Sequence, residues 1–487
     1  MVCINTIPLR ARPDDEPADH DTETRVTHPH PLPSLPVDIK AFIDERPISA
    51  MQWLLVALCF LIVASDGIDV AMMGFIAPPI VHDWHLARSS FGLVMSAAPL
   101  GLVAGALLAG PSSDRFGRKT ILVASVLVFG IGSLLTAATQ DITQMMAMRL
   151  LTGIGLGAAM PNATTLVAEY VPQRRRSLLI TSMFIGFGVG SALVGFVAGW
   201  LIPRFGWRSV VGFGGVVPLA LVPALLVALP ESARLMLVNG KPAERIARTL
   251  QRVCGCVFGP GTRFISPEPV LVSRRPTGVL FERGYALKTA SLWVTYFMGL
   301  LVIYLITGWL PMLIKDSGLP ITEAANITAM FQTGGIAGAI LAGWAMDRFA
   351  PVPVIALAYF GGAVCMLGVS GAGLTSGAMS GSLSLWMLAA GFFMNGAQTG
   401  LNAFAPVCYP TAVRATGVSW MLGVGRLGSI VGSASGGVLV GLGLGFGPLI
   451  GALAVPAVCA ALAILPSALR RRDGAAHAQP VHTIEEV

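Results

Sequence analysis

A chain of 487 residues with 54% hydrophobic and only 12% charged residues, and a mean hydropathy of +0.73, is far more apolar than a soluble domain, in which about 25% of residues are charged. That balance excludes a soluble enzyme or a disordered regulator and identifies an integral membrane protein. The net charge of +7 follows from basic residues gathered in loops on one side of the membrane, so nucleic-acid binding is not needed to explain it.

The first 48 residues are rich in Pro, Asp, Glu and His, lack apolar periodicity, and read as a disordered tail rather than a cleavable signal peptide. Apolar runs long enough to cross a bilayer, about 20 residues each, then follow at 53–77, 90–110, 119–138, 145–168, 177–201 and 208–229. After a polar loop they resume at 289–312, 325–344, 352–371, 383–408, 416–440 and 446–468. The expected fold is therefore all-α, with twelve transmembrane helices in two bundles at 49–229 and 289–468, a central loop at 230–288 and a tail at 469–487. Arg115, Arg118, Lys119, Arg174 to Arg176, the loop from Arg234 to Lys288, Arg348, Arg414 and Arg470 to Arg472 lie on one side, which the positive-inside rule makes cytoplasmic, with both termini.

The first span carries Asp66-Gly67-Ile68-Asp69, and the fourth opens with a lone Arg149. Charges at bilayer depth are candidates for a functional site. Counting from Trp53, Asp69 lies about 24 Å along its helix, while Arg149 lies roughly 6 to 9 Å below the outer surface in a helix running the other way, so the two share a depth. Asp66 sits one turn from Asp69 on the same face. Glycines spaced by four, Gly101 with Gly105, Gly153 with Gly157 and Gly334 with Gly338, let helices approach closely and are a packing signal.

After the second span the chain reads Gly110-Pro111-Ser112-Ser113-Asp114-Arg115-Phe116, and 233 residues on, after the eighth, Gly343-Trp344-Ala345-Met346-Asp347-Arg348-Phe349. Pro172 with Arg176 is echoed by Pro410 with Arg414. The halves are thus a duplication, and parallel six-helix repeats around a midplane cavity describe an alternating-access transporter. In this reading Asp114, Arg115, Arg118, Asp347 and Arg348 pair across the interface as a gate; the plainer reading is that the cations only set topology. Glu169, at the end of the fourth span, is expected to pair with a neighbouring arginine, and Pro230-Glu231-Ser232 belongs to the same gate.

The tenth span carries Asn395, Gln398 and Asn402 at spacings of three and four, which place three amides on one stripe. Such amides either bond a ligand's hydroxyl or carboxylate or bind helices together. Gln332 and Asn162 are weaker candidates. Tyr304, Trp309, Phe392 and Phe393 are candidate aromatic walls. Seven cysteines are scattered and imply no disulfide framework, and Cys254 with Cys256 are too few for a metal site. Gly423, Gly425 and Gly428 have dinucleotide-loop spacing but lie in a spanning helix with no preceding strand. No phosphate-binding loop, zinc-protease helix or serine elbow occurs, so neither ATP nor an enzyme is implied.

These residues resemble the major facilitator superfamily over about residues 50 to 470, with Gly110 to Lys119 similar to its signature loop. Within it, Asp66-Gly67-Ile68-Asp69, Arg149-Leu150-Leu151-Thr152-Gly153 with Met160-Pro161-Asn162, Trp309-Leu310-Pro311, and Tyr409-Pro410-Thr411 through Arg414-Ala415-Thr416-Gly417-Val418 to Gly425-Arg426 resemble the aromatic acid:proton symporter family. The resemblance implies import of a benzoate or hydroxybenzoate type of acid into bacteria, with the proton as coupling ion and no other cofactor, by a monomer in the inner membrane. A buried carboxylate beside an arginine feels opposed influences, desolvation favouring the acid and the cation favouring the anion. Asp69 with Arg149 is therefore the expected proton-coupling pair, and Asp66 a second acid or a substrate-site residue; a purely structural ion pair is the alternative. Arg426, about ten residues into the eleventh span and near the midplane, is the expected carboxylate partner, since a guanidinium binds a carboxylate bidentately; packing of helices is its other role. Arg414, at the cytoplasmic end, is a gate residue. Proton-coupled sugar or polyol uptake, transport of another organic anion, and an aromatic-acid sensor are the competing functions.

Overall fold

The computed structural model describes residues 36–259, 262–266, 280–282, 285–372, 379–409 and 414–468. The tail before residue 36, Pro410, Thr411, the chain after 468 and the side chain of Arg414 lie outside the described residues.

A short strand β1 (Val37–Asp38) and helix α1 (Ile39–Asp44) precede the first bundle. That bundle comprises α2 (Ala50–Asp83), α3 (Arg88–Phe116), α4 (Arg118–Ala137), α5 (Ile142–Tyr170), α6 (Gln173–Phe205) and α7 (Trp207–Ala228). The central loop holds α8 (Ala233–Val238), α9 (Ala243–Cys254) and β2 (Phe264–Ile265). The second bundle is α10 (Ala286–Asp316), α11 (Ile321–Arg348), α12 (Pro351–Ala372), α13 (Met379–Phe404), α14 (Arg414–Gly441) and a last span broken into α15 (Phe446–Ala452) and α16 (Ala454–Ile464). All twelve expected spans are helices, most a few residues longer at each end than the apolar runs, because polar end turns continue the backbone ladder beyond the hydrocarbon.

The halves are built alike. In the first, α3 packs on α5, α2 on α6 and α7, and α4 on α5 and α7. The same partners recur in the second as α11 on α13, α10 on α14 and α16, and α12 on α13 and α16. The spaced glycines lie at the tightest of these crossings. A methyl on Gly153 would stand 2.1 Å from the carbonyl oxygen of Ala98, and one on Gly334 1.9 Å from that of Leu388, so only glycine lets α3 meet α5 and α11 meet α13.

The halves meet through α2 with α10, α3 with α14 and α6 with α11. The closest approaches lie toward one end of the molecule. Gly74 faces the backbone of Thr307 and Gly308, Gly92 that of Ala434 and Gly437, and Gly195 the side chain of Ala329. Beyond them, at the rim of that end, Arg88 pairs with Asp316 at 3.0 Å. The molecule is closed at this end.

The disordered tail expected up to residue 48 is corrected over its last part. β1 pairs in parallel with β2, Val37 opposite Phe264 and Asp38 opposite Ile265. Ile39 and Ile43 are buried in a core shared with α2, α5 and α9. Asp38 caps α1, and Ser49 with Gln52 forms a capping box on α2. Ser49 also donates to the carbonyl of Val253 at 2.6 Å, and Asp44 accepts from the backbone N–H of Gln173 at 2.7 Å. Phe42, Phe258 and Phe264 pack in series, the first two tilted and the last two edge-on, with the Arg46 guanidinium 3.5 Å over Phe42. The segment is ordered because its partners lie some 200 residues downstream, where a local reading of polarity does not look. Cys254 and Cys256 belong to this junction as free thiols: Cys256 accepts from Arg46 at 3.0 Å, and burial, reinforced by the neighbouring Cys256, pushes the Cys254 thiol up to about 11 against the pull of Arg46.

Candidate functional site

Asp69 and Arg149 form a bidentate pair, Nη1 to Oδ1 and Nη2 to Oδ2, both at 2.7 Å. Ser133 of α4 donates a third bond to Asp69 Oδ1 at 3.1 Å. Both charged residues are buried. Beside them Gly67 lets α2 close on α6: a methyl there would stand 2.1 Å from the carbonyl oxygen of Phe187, and the Gly67 carbonyl accepts from Ser191. A cavity of about 30 Å³, enough for a water molecule, touches Asp69, Arg149 and, from the other half, Tyr304, Gly308 and Ser433.

Asp66 is held differently. It is 2% exposed, and its Oδ1 has no hydrogen-bond partner. Its charged neighbours are Arg426 of the opposite half, Asp69 and Arg149. Arg426 donates to the Tyr304 hydroxyl at 3.0 Å, and its own carbonyl accepts from Ser429. Asp66, Tyr304 and Arg426 thus converge from α2, α10 and α14, where the two halves meet.

The amide stripe divides. Gln398 accepts from the Tyr359 hydroxyl at 2.7 Å, and Asn402, exposed, lies with it beside the Tyr296 hydroxyl. Asn395 instead packs on Gly335 and shares with Gln332 a separate cavity of about 70 Å³ bordered by α6. Gln332 donates to Thr307 at 3.0 Å and so ties α11 to α10.

Trp309 as an aromatic wall is corrected. It is fully buried, donates to the Ser433 carbonyl at 2.8 Å and lies over Gly436, where a methyl would meet the indole at 2.3 Å. A large ring against a glycine backbone is how α10 is keyed to α14. Phe393 likewise packs on Gly361 of α12, edge-on to Phe392. Asn162 bonds the Ala158 carbonyl of its own helix.

Residues 58–433 match the sequence profile of the Major Facilitator Superfamily. The gallate transporter of Pseudomonas putida is 54% identical over 430 residues, covering 88% of this chain and 95% of that protein. The 4-hydroxybenzoate transporter PcaK of Pseudomonas aeruginosa is 48% identical over 438 residues, 89% of this chain and 97% of that protein. The chain belongs to the aromatic acid transporters of the major facilitator superfamily. Its nearest functional class is therefore a carrier and not an enzyme. Fold likeness extends to a solved D-xylose-proton symporter at a TM-score of 0.66 and 19% identity, covering 85% of this chain and 97% of that one.

In this transporter the end opposite the Arg88 and Asp316 pair carries the expected gate. Asp114, Arg115, Asp347 and Arg348 are all exposed there, and no ion pair joins them among the described residues. The ion pair that does form is local, Arg118 to Glu169, between α4 and α5. Glu231 serves as a helix cap rather than a cross-interface partner: its Oε1 accepts from the backbone N–H groups of Arg118 and Lys119 at 2.8 and 3.2 Å, at the positive end of α4. Gly117, with φ 99°, makes the turn, and any side chain there would strike the Glu231 carboxylate.

The pair closing the first end is half-exposed and should matter little. Asp316→Asn is expected to shift the balance between open and closed forms by no more than about fivefold, as for an exposed salt bridge of up to about 1 kcal/mol. Spin-label distances across that end check this, and a shift beyond tenfold would make Arg88 and Asp316 a true latch.

Tyr296, Tyr359, Ser133 and Thr307 escape the sequence reading. The available signal for Tyr296 is its place two turns before Tyr304 on one face of α10, since a phenol inside an apolar span needs a polar partner. Nothing in the sequence around Tyr359 distinguishes it from a packing aromatic.

Proposed function

We propose that this protein imports an aromatic carboxylate together with one proton across the bacterial inner membrane, exposing a single site alternately to the two sides. The relatives named for gallate and 4-hydroxybenzoate transport support the substrate class. The observation that carries the coupling is Asp66, a buried carboxyl with an unpartnered oxygen that has Arg426 among its charged neighbours across the interface. Asp69 is already saturated by Arg149 and Ser133, so a proton reaching it would have to break a bidentate pair. Asp66 can gain one without that cost.

The cycle follows from charge. Facing outward, the substrate carboxylate takes Arg426 and the Tyr304 hydroxyl, and Asp66, deprived of its cation, carries a proton. Facing inward, Asp66 releases the proton to the cytoplasm, its carboxylate reclaims Arg426, and the acid leaves. The site then holds the same net charge loaded and empty, so one proton accompanies each monoanion and no charge crosses. The cytoplasmic face, by the distribution of Arg and Lys, is the one with both termini, which makes this conformation inward-facing. Asp114 and Arg115 with Asp347, Arg348 and Arg414 would come together there on closure, while Arg118 and Glu169 stay as a clasp within the first half. A single chain is a complete carrier, and the proton gradient is its only energy source.

The test is uptake of labelled 4-hydroxybenzoate into proteoliposomes. Accumulation is expected with an inward proton gradient, is abolished by an uncoupler, and is unchanged by an imposed membrane potential at fixed pH gradient. Uptake driven by potential alone would refute the electroneutral cycle, and no uptake of any aromatic acid by folded protein would refute the substrate class.

A further inference from the structure

Tyr359 is fully buried and aims its hydroxyl at Gln398 Oε1, 2.7 Å away. That bond fixes the plane of the amide and leaves Nε2, buried and without a partner, as a free donor. The pair occupies space that α10 vacates at Gly299, where a methyl would stand 2.2 Å from Gln398 Oε1 and 2.4 Å from the Tyr359 hydroxyl. A second glycine does the same for the neighbouring ring: a methyl on Gly425 would meet Tyr296 at 1.9 Å. Tyr296 therefore sits hard against the backbone beside Arg426, with the amides of Gln398 and Asn402 near its hydroxyl.

One phenol thus links the cation to a polar far wall. A buried donor left unpaired costs free energy that a ligand recovers when it supplies an acceptor, and sites built this way reject the analogue that lacks the group. We propose that Gln398, held in orientation by Tyr359, and Tyr296 read a ring hydroxyl on the substrate, so that the transporter selects hydroxylated aromatic carboxylates over unsubstituted ones. This rests on the carboxylate being held at Arg426 as in the proposed cycle. The substrate's hydroxyl oxygen accepts from Gln398 Nε2, and its O–H donates to the Tyr296 oxygen or the Asn402 carbonyl. Tyr359 is a positioning residue that touches only the amide.

The experiment compares 4-hydroxybenzoate with benzoate as substrates of the full-length protein in proteoliposomes. Wild type is expected to prefer 4-hydroxybenzoate at least tenfold in kcat/KM. Gln398→Met, which keeps the shape and removes the donor, and Tyr359→Phe, which frees the amide, should each cut that preference about tenfold by raising KM for 4-hydroxybenzoate. The melting temperature of each purified variant in detergent reports that it folds, and the ratio of kcat/KM between the two acids is the readout. A wild type without preference, or variants that retain it, would overturn the assignment whatever the substrate class. Should wild type carry neither acid, the proposed function fails first and takes this inference with it.

Discussion

Asp66→Asn is expected to leave a carrier that binds and exchanges an aromatic acid but no longer concentrates it. The amide keeps the size of the carboxyl and can still bond where Oδ1 lacks a partner, so burial is not disturbed. What it removes is the anion that reclaims Arg426 when substrate leaves. With that competitor gone, the loaded and empty sites differ by one charge and no proton moves with the acid. In proteoliposomes the accumulation ratio under an inward proton gradient should fall to about one, while counterflow with substrate on both sides persists within a few-fold of wild type. Retained uphill uptake in this variant would return the coupling role to Asp69.

Arg149→Ala is expected to do the opposite kind of damage. Asp69 would keep only the Ser133 hydroxyl, and an ion stripped of its partner inside a protein costs about 3 to 5 kcal/mol. The purified variant should unfold at markedly lower temperature in detergent, and transport should be lost with stability rather than with coupling. A matched pair of neutral residues relieves the penalty, so Asp69→Asn combined with Arg149→Met should recover much of the melting temperature. If Arg149→Ala melts like wild type and loses only proton dependence, the pair is a coupling element and not a brace.

How far the sequence reveals this molecule depends on the range of each interaction. The twelve spans are legible because bilayer thickness sets a run length that needs no tertiary knowledge. Gly153 and Gly334 are legible because a spacing of four repeats on one helix face. Asp69 and Arg149 are legible because helix rise converts position to depth, and depth limits partners. Trp309 is misread because its partner is a bare backbone at Gly436, which leaves no chemical mark in the sequence. The first-half tail is misread because α1 is only six residues long and finds its contacts on α9 and β2. Asp66 and Asp69 look equivalent one turn apart; the placement of Arg149 and Ser133 on Asp69, and of Arg426 near Asp66, separates them.

The ordered segment around β1 and α1 has a bearing on how the two halves share motion. Through β2, Val253 and Gln173 it fastens α9 to the first bundle alone. Among the described residues the symmetry of the bundles is therefore broken at one face: the first half carries the central-loop helices and the second carries none. Arg426 therefore belongs to the half without these helices, and Asp66 to the half that bears them.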